Sequence, residues 1–592
     1  MKMRVSDYIA NFLTENGIID CFTVTGGGAM YLNDSFGHHK IMRCTYFHHE
    51  QAAAMAAEAY ARVDNNPALV CVTTGPGATN AITGVAGGWM DSVPMLVISG
   101  QVRYDTSVYK TGIKLRTRGV QEFDITGSVK NMTKYCELIT DPLRIRYCLE
   151  KALFLCKSGR PGPCWLDIPL DLQGAVIETE DLIAFEKPDN DYITDKTKIE
   201  QMLEQLKNAH RPLVFIGNGV RLSGAHDDCI EFLEKTGVPA ISGMSSVDAM
   251  ASDHPLYIGR SGTTGQRAAN FALQNCDFLL SLGSRQSFFQ TGFDTSAWAT
   301  KAYKVLNDID NDELKRTDLP YDLAIPGDVK ELLNYLNKVV QHPLGEYNQW
   351  IKTCLTWKEK YPVVQKKHYE DEHANIYAFY KEMTMLLPEE TNIVVSAGTS
   401  RVAGSQASII KNGQRFIANP SMASMGYDLP PAIGVCIASN KKTIVVTGDG
   451  GFQMNIQELQ TIKHHSFPIA IFVMNNKGYH SIRMTQKNFF GEDLVGVGED
   501  SGDISFPNLS KLIPAYGINY YSIHNNDEIK EIVMKMMKNE GPCLCEVFLS
   551  TSQNTEPKVT SKRAEDGQMI SARLEDMAPF LPDIEMRENM RF

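Results

Sequence analysis

The segment Gly448-Asp449-Gly450 constrains this chain more than any other. The β-branched run Thr443-Ile444-Val445-Val446-Thr447 before it reads as a buried strand, and the two glycines free the backbone to turn tightly at its carboxyl end, leaving Asp449 at the tip. A second apolar run, Ile469-Ala470-Ile471-Phe472-Val473-Met474, ends in Asn475-Asn476. As neighbours in one parallel sheet, the two strands would bring a carboxylate and an amide oxygen together beyond their carboxyl ends. Hard oxygen donors that share an ion with two phosphate oxygens suit octahedral magnesium, so the pair reads as a magnesium-diphosphate clamp. Gly-Asp-Gly alone is an ordinary turn; the flanking strands and the Asn pair lift it above one.

The rest of the chain supplies a large α/β frame for that clamp. At 592 residues it holds about three or four domains. A net charge of −12 argues against a general nucleic-acid surface and leaves room for local positive pockets that take anionic substrates. Thirteen cysteines without CxxC or metal-like spacing fit reduced thiols in the cytoplasm, and no amino-terminal apolar leader precedes Val5. No apolar run reaches the roughly 20 residues that span a bilayer, so no membrane segment is expected.

Strands and helices alternate over residues 1–175, a first α/β domain closed by the turn Ser158-Gly159-Arg160-Pro161-Gly162-Pro163 and a last strand, Cys164 to Ile168. A charged linker over 176–197 leads to a second α/β unit, 198–340, that opens on Pro212 to Gly219. A polar connection over 341–372 reaches the third unit, 373–555, which holds the clamp. Residues 556–592 lack periodicity and read as a C-terminal tail ordered only over a site. The predicted architecture is three doubly wound α/β domains with mainly parallel sheets.

The clamp resembles the thiamine diphosphate (ThDP) motif, and the whole chain resembles the acetohydroxyacid (acetolactate) synthase branch of ThDP enzymes. The resemblance is carried by Phe47-His48-His49-Glu50-Gln51, Thr74-Gly75-Pro76-Gly77-Ala78-Thr79-Asn80, the 158–163 turn, Met425-Gly426-Tyr427-Asp428-Leu429-Pro430 and the clamp. It implies pyrimidine-binding, central and diphosphate-binding domains in that order. It further implies that Glu50 bonds the cofactor's aminopyrimidine, that Met425 wedges the cofactor, and that Asp449, Asn476 and the Gly478 carbonyl ligate magnesium, with Gly448, Gly450 and Gly451 along the diphosphate. Gln121, Gly27 and Gly28 match positions facing the reacting centre. In the central domain Gly217, Gly219, Gly262, Arg285, Asp308 and Asp310 stand where the family holds FAD, although Gly-x-Gly here lacks a third glycine; a nucleotide-free central domain is the alternative.

The implied reaction is a decarboxylating carboligation, in which a unit from a 2-keto acid, pyruvate, passes to a carbonyl acceptor. Two departures bear on that acceptor. Val120 replaces a phenylalanine, and Tyr479-His480-Ser481-Ile482-Arg483-Met484-Thr485-Gln486 contains no tryptophan. Losing two aromatic walls enlarges the pocket, and Tyr479, His480 and Arg483 are expected to suit a polar or anionic acceptor, such as a nucleotide-linked keto-sugar. A non-catalytic ThDP-binding subunit is the alternative from another class. With Glu50 and the clamp in different domains, the resemblance implies a homodimer or homotetramer with sites at interfaces; the sequence leaves dimer, tetramer and any regulatory subunit undecided.

Overall fold

The computed structural model describes residues 1–188, 195–319, 321–563 and 569–592. Part of the expected linker, 189–194, and part of the expected tail, 564–568, lie outside the described residues. The described fold is three parallel six-stranded sheets interleaved with helices.

The first sheet runs, in spatial order, Arg43–Tyr46, Asp20–Thr23, Leu69–Val72, Met95–Gln101, Pro163–Pro169, Tyr135–Leu138. The third runs Arg415–Ile417, Asn392–Val395, Thr443–Gly448, Ile469–Asn475, Cys543–Phe548, Asn519–Ile523. The two clamp strands are register partners, from Thr443 opposite Ile469 to Gly448 opposite Met474, so their tips lie side by side. The central sheet has the order third, second, first, fourth, fifth, sixth: Tyr257–Arg260, Ala240–Ser242, Pro212–Ile216, Phe278–Leu282, Tyr303–Asp308, Leu323–Pro326. Strand order reverses between Pro212–Ile216 and Phe278–Leu282, which opens a ligand crevice at their carboxyl ends.

Small side chains decide how the outer domains meet. Helix Glu50–Asp64 is almost solid alanine on its buried faces and lies against both Pro76–Met90 and, across the domain boundary, Leu429–Ser439. A Cβ at Gly434 would fall 1.9 Å from the Ala56 carbonyl oxygen, so the two backbones approach as closely as a glycine permits. One apolar core spans the contact, from Val70 and Met55 through Leu429 and Ile433 to Val445. Within it Glu58 is fully buried, bonded by Arg62 and Tyr427, and Arg62 also reaches Asp91 at 2.7 Å.

Two expectations are corrected. The connection over 341–372 contains the helix Asn348–Lys360, whose Trp350, Cys354 and Trp357 bury one face on the helix Arg267–Asn275. The described C-terminal residues, expected as a tail, dock on that same central-domain helix and on Asn348–Lys360. Asn270 Nδ2 donates to Leu574 O at 2.8 Å, Asn275 Nδ2 to Asn589 O at 2.9 Å, and Trp357 Nε1 to Asn589 Oδ1 at 3.0 Å. Buried amides in need of partners capture the tail's carbonyls, an attraction that apolar periodicity does not reveal.

Candidate active site

Strand Thr443–Gly448 passes directly into the short helix Asp449–Phe452. Gly448 has φ −85°, so the turn does not use its conformational freedom, contrary to expectation. Gly450 is required for space, because a Cβ there would sit 2.2 Å from a ring carbon of Tyr479. Asp449 is buried; its Oδ1 accepts from the Gly450 amide at 2.8 Å and its Oδ2 from the Gly478 amide at 2.9 Å. Burial pushes its carboxyl up to about 7 against the pull of those amides, the state of a carboxylate short of positive charge. Beside it Asn476 is buried, and its Oδ1 has no hydrogen-bond partner. Gly478 has φ +136°, and a Cβ there would meet Val497 O at 2.0 Å. An under-compensated carboxylate and an orphaned amide oxygen at neighbouring strand tips fit a hard divalent cation.

The next turn of chain corrects the expected acceptor site. Arg483 is fully buried: Nε donates to Asp500 Oδ2 at 2.7 Å, Nη2 to Asp500 Oδ1 at 3.0 Å and to Lys477 O at 2.9 Å, and Nη1 to Asn476 O at 3.1 Å. Its fork is spent on holding the 476–478 loop, so it is not free for an acceptor. His480 is also buried, with Nε2 2.7 Å from Gln553 O, and burial lowers its pKa. Tyr479 lies over Gly450 and stacks edge-on against Phe506. The face of the helix His480–Phe490 that reaches solvent carries Ser481, Ile482 and Thr485.

Glu50 begins the helix Glu50–Asp64, and its Oε2 accepts from Asn80 Nδ2 at 2.9 Å. Asn80 was visible only as the last residue of the 74–80 motif; its role in orienting Glu50 needed the fold. Around it, Gly28 N donates to Thr73 Oγ1 at 3.0 Å, and a Cβ at Gly27 would meet nothing within 4 Å. Gln121 is exposed at φ +65°, its carbonyl 3.0 Å from Thr74 Oγ1. Val120 is 86% exposed, and Met425 is 43% exposed ahead of Gly426, whose carbonyl accepts from Asn455 Nδ2 at 2.9 Å. The structure thus gathers Glu50, Gly27, Gly28 and Gln121 beyond the carboxyl ends of the first sheet's strands and Asp449, Asn476, Gly478 and Gly451 beyond those of the third. Glu50 shares no hydrogen-bond partner with the clamp among the described residues.

A cavity of about 330 Å³ opens at the central sheet's switch point, lined by Gly217, Gly219, Arg285 and Asp308 together with Arg160 and Lys157 of the first domain. Gly217 and Gly219 are needed because their Cβ atoms would strike the Gly283 backbone at 2.3 and 2.7 Å. Burial pushes Asp308 up to about 6. Two of the six expected positions do not line the cavity: Gly262 sits beneath the Phe289 carbonyl, and Asp310 holds Arg160 at 2.9 Å. Cations, serines and a buried acid at a switch point fit a phosphate-bearing nucleotide.

Three α/β domains, with a buried carboxylate beside a partnerless amide oxygen at neighbouring strand tips of the third, fit the class of enzymes that work on a bound diphosphate. Comparison with known proteins specifies it. Residues 3–127 match the N-terminal TPP binding domain of thiamine pyrophosphate enzymes, residues 199–336 the central domain, and residues 396–547 the C-terminal TPP binding domain. The chain is 31% identical over 583 residues to the acetolactate synthase large subunit of Lactococcus lactis, covering 96% of each. It is 30% identical over 562 residues to the acetolactate synthase isozyme 2 large subunit of Escherichia coli, covering 94% of this chain and 97% of that one. The chain belongs to the thiamine pyrophosphate enzyme family, in its acetolactate synthase-like branch, and is an enzyme. Among the described residues no helix is long and apolar enough to cross a membrane.

Proposed function

We propose that this enzyme is a decarboxylating carboligase that moves an acetaldehyde-level unit from pyruvate to a carbonyl acceptor, with thiamine diphosphate held through magnesium. The observation that carries the reading is the clamp: buried Asp449 beside the partnerless Asn476 Oδ1. In this proposal Asp449, Asn476 and the Gly478 carbonyl hold the ion, the Gly450 and Gly451 amides meet the diphosphate, and Met425 gives the cofactor apolar support. Bound ThDP supplies the electron sink for decarboxylation. Glu50, oriented by Asn80, holds and moves a proton at the aminopyrimidine, while Gln121, Gly27 and Gly28 line the reacting carbonyl. The test is Glu50→Gln: kcat for pyruvate consumption is expected to fall about 10²–10⁴-fold with ThDP still bound, and full activity would refute the assignment.

The proposal extends to assembly. Val120, Met422, Met425, Met454 and Ile482 are all exposed around the two half-sites, which supports a homodimer or dimer of dimers that joins Glu50 of one copy to the clamp of another. An active monomer in sedimentation would overturn it. In the central cavity, FAD would use Arg160, Lys157 and Arg285 for phosphate and Asp308 for a hydroxyl. Purified enzyme should carry a flavin absorbance that Gly219→Val removes. The all-thiol cysteines support a cytoplasmic setting.

The acceptor we propose is bulkier than a second pyruvate, a nucleotide-linked keto-sugar being the leading candidate. Support comes from open Val120 and the absence of tryptophan over 479–486; polar recognition falls to Ser481 and Thr485 in place of Arg483. Products formed from pyruvate with pyruvate, 2-ketobutyrate and keto-sugar nucleotides should rank in favour of the sugars by kcat/KM. Efficient acetolactate formation with no sugar product would leave ordinary acetohydroxyacid synthesis.

A further inference from the structure

A second cavity, about 180 Å³ and partly open to solvent, lies between the central and third domains. Its floor is strand Tyr257–Arg260, one wall is the end of helix Asn348–Lys360 with residues 361–364, and the other is helices Ile376–Leu386 and Thr399–Ala407 with residues 408 and 409. Ile258, Ala268, Val363, Val364, Ala407 and Ile409 form an aliphatic surface in it, beside Gln266, Gln406, Ser252 and Ser408. Into this apolar chamber the chain places three cations, Arg260, Lys358 and Lys381.

None of the three makes an ion pair with a carboxylate among the described residues. Arg260 is 2% exposed, and its guanidinium is spent on neutral oxygens, Val247 O at 3.2 Å, Ser405 O at 3.2 Å, Ser408 O at 3.0 Å and Ser252 Oγ at 3.5 Å, so it lends the cavity positive charge more than free donors. Lys358 Nζ donates to Ser252 O at 2.8 Å and Tyr257 O at 2.7 Å, so one of its three protons has no recorded acceptor. Desolvation and the nearby Arg260 push the Lys358 ammonium down to about 8, with exposed Asp253 opposing weakly from a distance. A desolvated charge is ordinarily paired with an opposite one, and here the protein supplies only neutral oxygens.

We propose that this cavity is a binding site for a short aliphatic carboxylate, its anionic end against Lys358 and its hydrocarbon against Ile258, Val363 and Val364. The volume is below that of a drug-sized pocket, which limits the ligand to a few carbons.

The probe is isovalerate, which has no keto group to be decarboxylated, titrated calorimetrically into full-length protein loaded with ThDP and magnesium. Saturable binding is expected. Lys358→Met should weaken it about tenfold or more, as the loss of a charged hydrogen bond does, and Val364→Trp, which fills the chamber without touching its charges, should abolish it. Glu50→Gln, in the catalytic half-site, should leave it unchanged. Because the carboxylate restores the ammonium, binding at pH 8 to 9 should take up a proton, seen as an enthalpy that varies with buffer ionisation; the titratable groups facing Lys358 are Arg260, Tyr257, Asp253, Tyr361 and Lys381. Absence of saturable binding, equal binding of 3-methylbutan-1-ol, or binding unaltered in both cavity variants would each overturn the proposal.

Discussion

The first and third domains are one topology put to two uses. Both sheets have the spatial order second, first, third, fourth, sixth, fifth, and the helices that follow their second strands, Glu50–Asp64 and Leu429–Ser439, lie against each other. The point that holds Glu50 in the first domain holds Met425 in the third. The third strand ends at Thr73-Thr74-Gly75 in one and at Gly448-Asp449 in the other. The supports beneath those tips also correspond. Each sixth strand carries a buried carboxylate, Asp167 or Glu546, and each carboxylate accepts from an amide at the end of the fourth strand: Gln101 Nε2 at 2.9 Å and Asn475 Nδ2 at 2.6 Å. Gln101 Oε1 accepts from Thr74 Oγ1 at 2.7 Å, beneath Gln121, while Asn475 Oδ1 accepts from the Lys477 amide at 3.0 Å, in the loop that carries Asn476. The frame is shared, and what differs is the residues placed on it: Thr74 against Asp449 at the third-strand tip and Glu50 against Met425 ahead of the paired helices.

The sharpest way to break this comparison is to exchange the losses. Asp449→Ala should lower activity by more than about 100-fold and release ThDP and magnesium on gel filtration, because a metal ligand matters at least as much as the groups behind it. Glu50→Gln should lose turnover and keep the cofactor. If both variants retained the cofactor equally, the division of labour would fail. One layer down, Glu546→Gln should weaken magnesium about 10–100-fold, the usual cost of disturbing a residue behind a metal ligand. Rescue of activity by excess magnesium distinguishes that from a folding defect.

The same comparison shows what the sequence could and could not carry. Strand runs such as Thr443 to Thr447 and Ile469 to Met474 were legible because apolar, β-branched stretches bounded by glycine or asparagine have few other uses, and both fall within observed strands. The nearness of Asp449 to Asn476 was legible because each directly follows one of two adjacent strands. Arg483 was misread because its partner, Asp500, lies 17 positions away across a loop whose course no periodicity reveals. The helix Asn348–Lys360 was missed although Trp350, Cys354 and Trp357 mark one helical face, since its polar positions outnumber them. The docked C-terminus was illegible for a physical reason: its partners are buried amides, and a sequence does not show which polar groups lack bonds at home.

The symmetric helix pair can be tested at its closest approach. Gly434→Ala puts a methyl where the Ala56 carbonyl oxygen stands 1.9 Å away, so the first and third domains must move apart. A loss of about 1–3 kcal/mol is expected, as for overpacked cores, read from chemical denaturation. Gly448→Ala, at the clamp strand's end, meets nothing within 4 Å and should cost far less.

The last test reads the first domain's sixth-strand carboxylate by pH. Burial pushes the Asp167 carboxyl up to about 7, opposed by hydrogen bonds from Ser99 and Gln101. In the unfolded chain the same group ionises near its ordinary value of 3.8, so between those limits the folded state binds the extra proton. Its contribution to stability is therefore full below the unfolded pKa and is lost as pH rises through the folded one. Asp167→Asn removes that dependence. The stability of the variant minus that of the parent should climb from pH 4 to pH 7 by at most about 1.4 kcal/mol per pH unit and level off above. Urea denaturation at stepped pH measures it. A flat difference would mean that Asp167 is already ionised at low pH inside the fold, held by Ser99 and Gln101 more firmly than burial opposes.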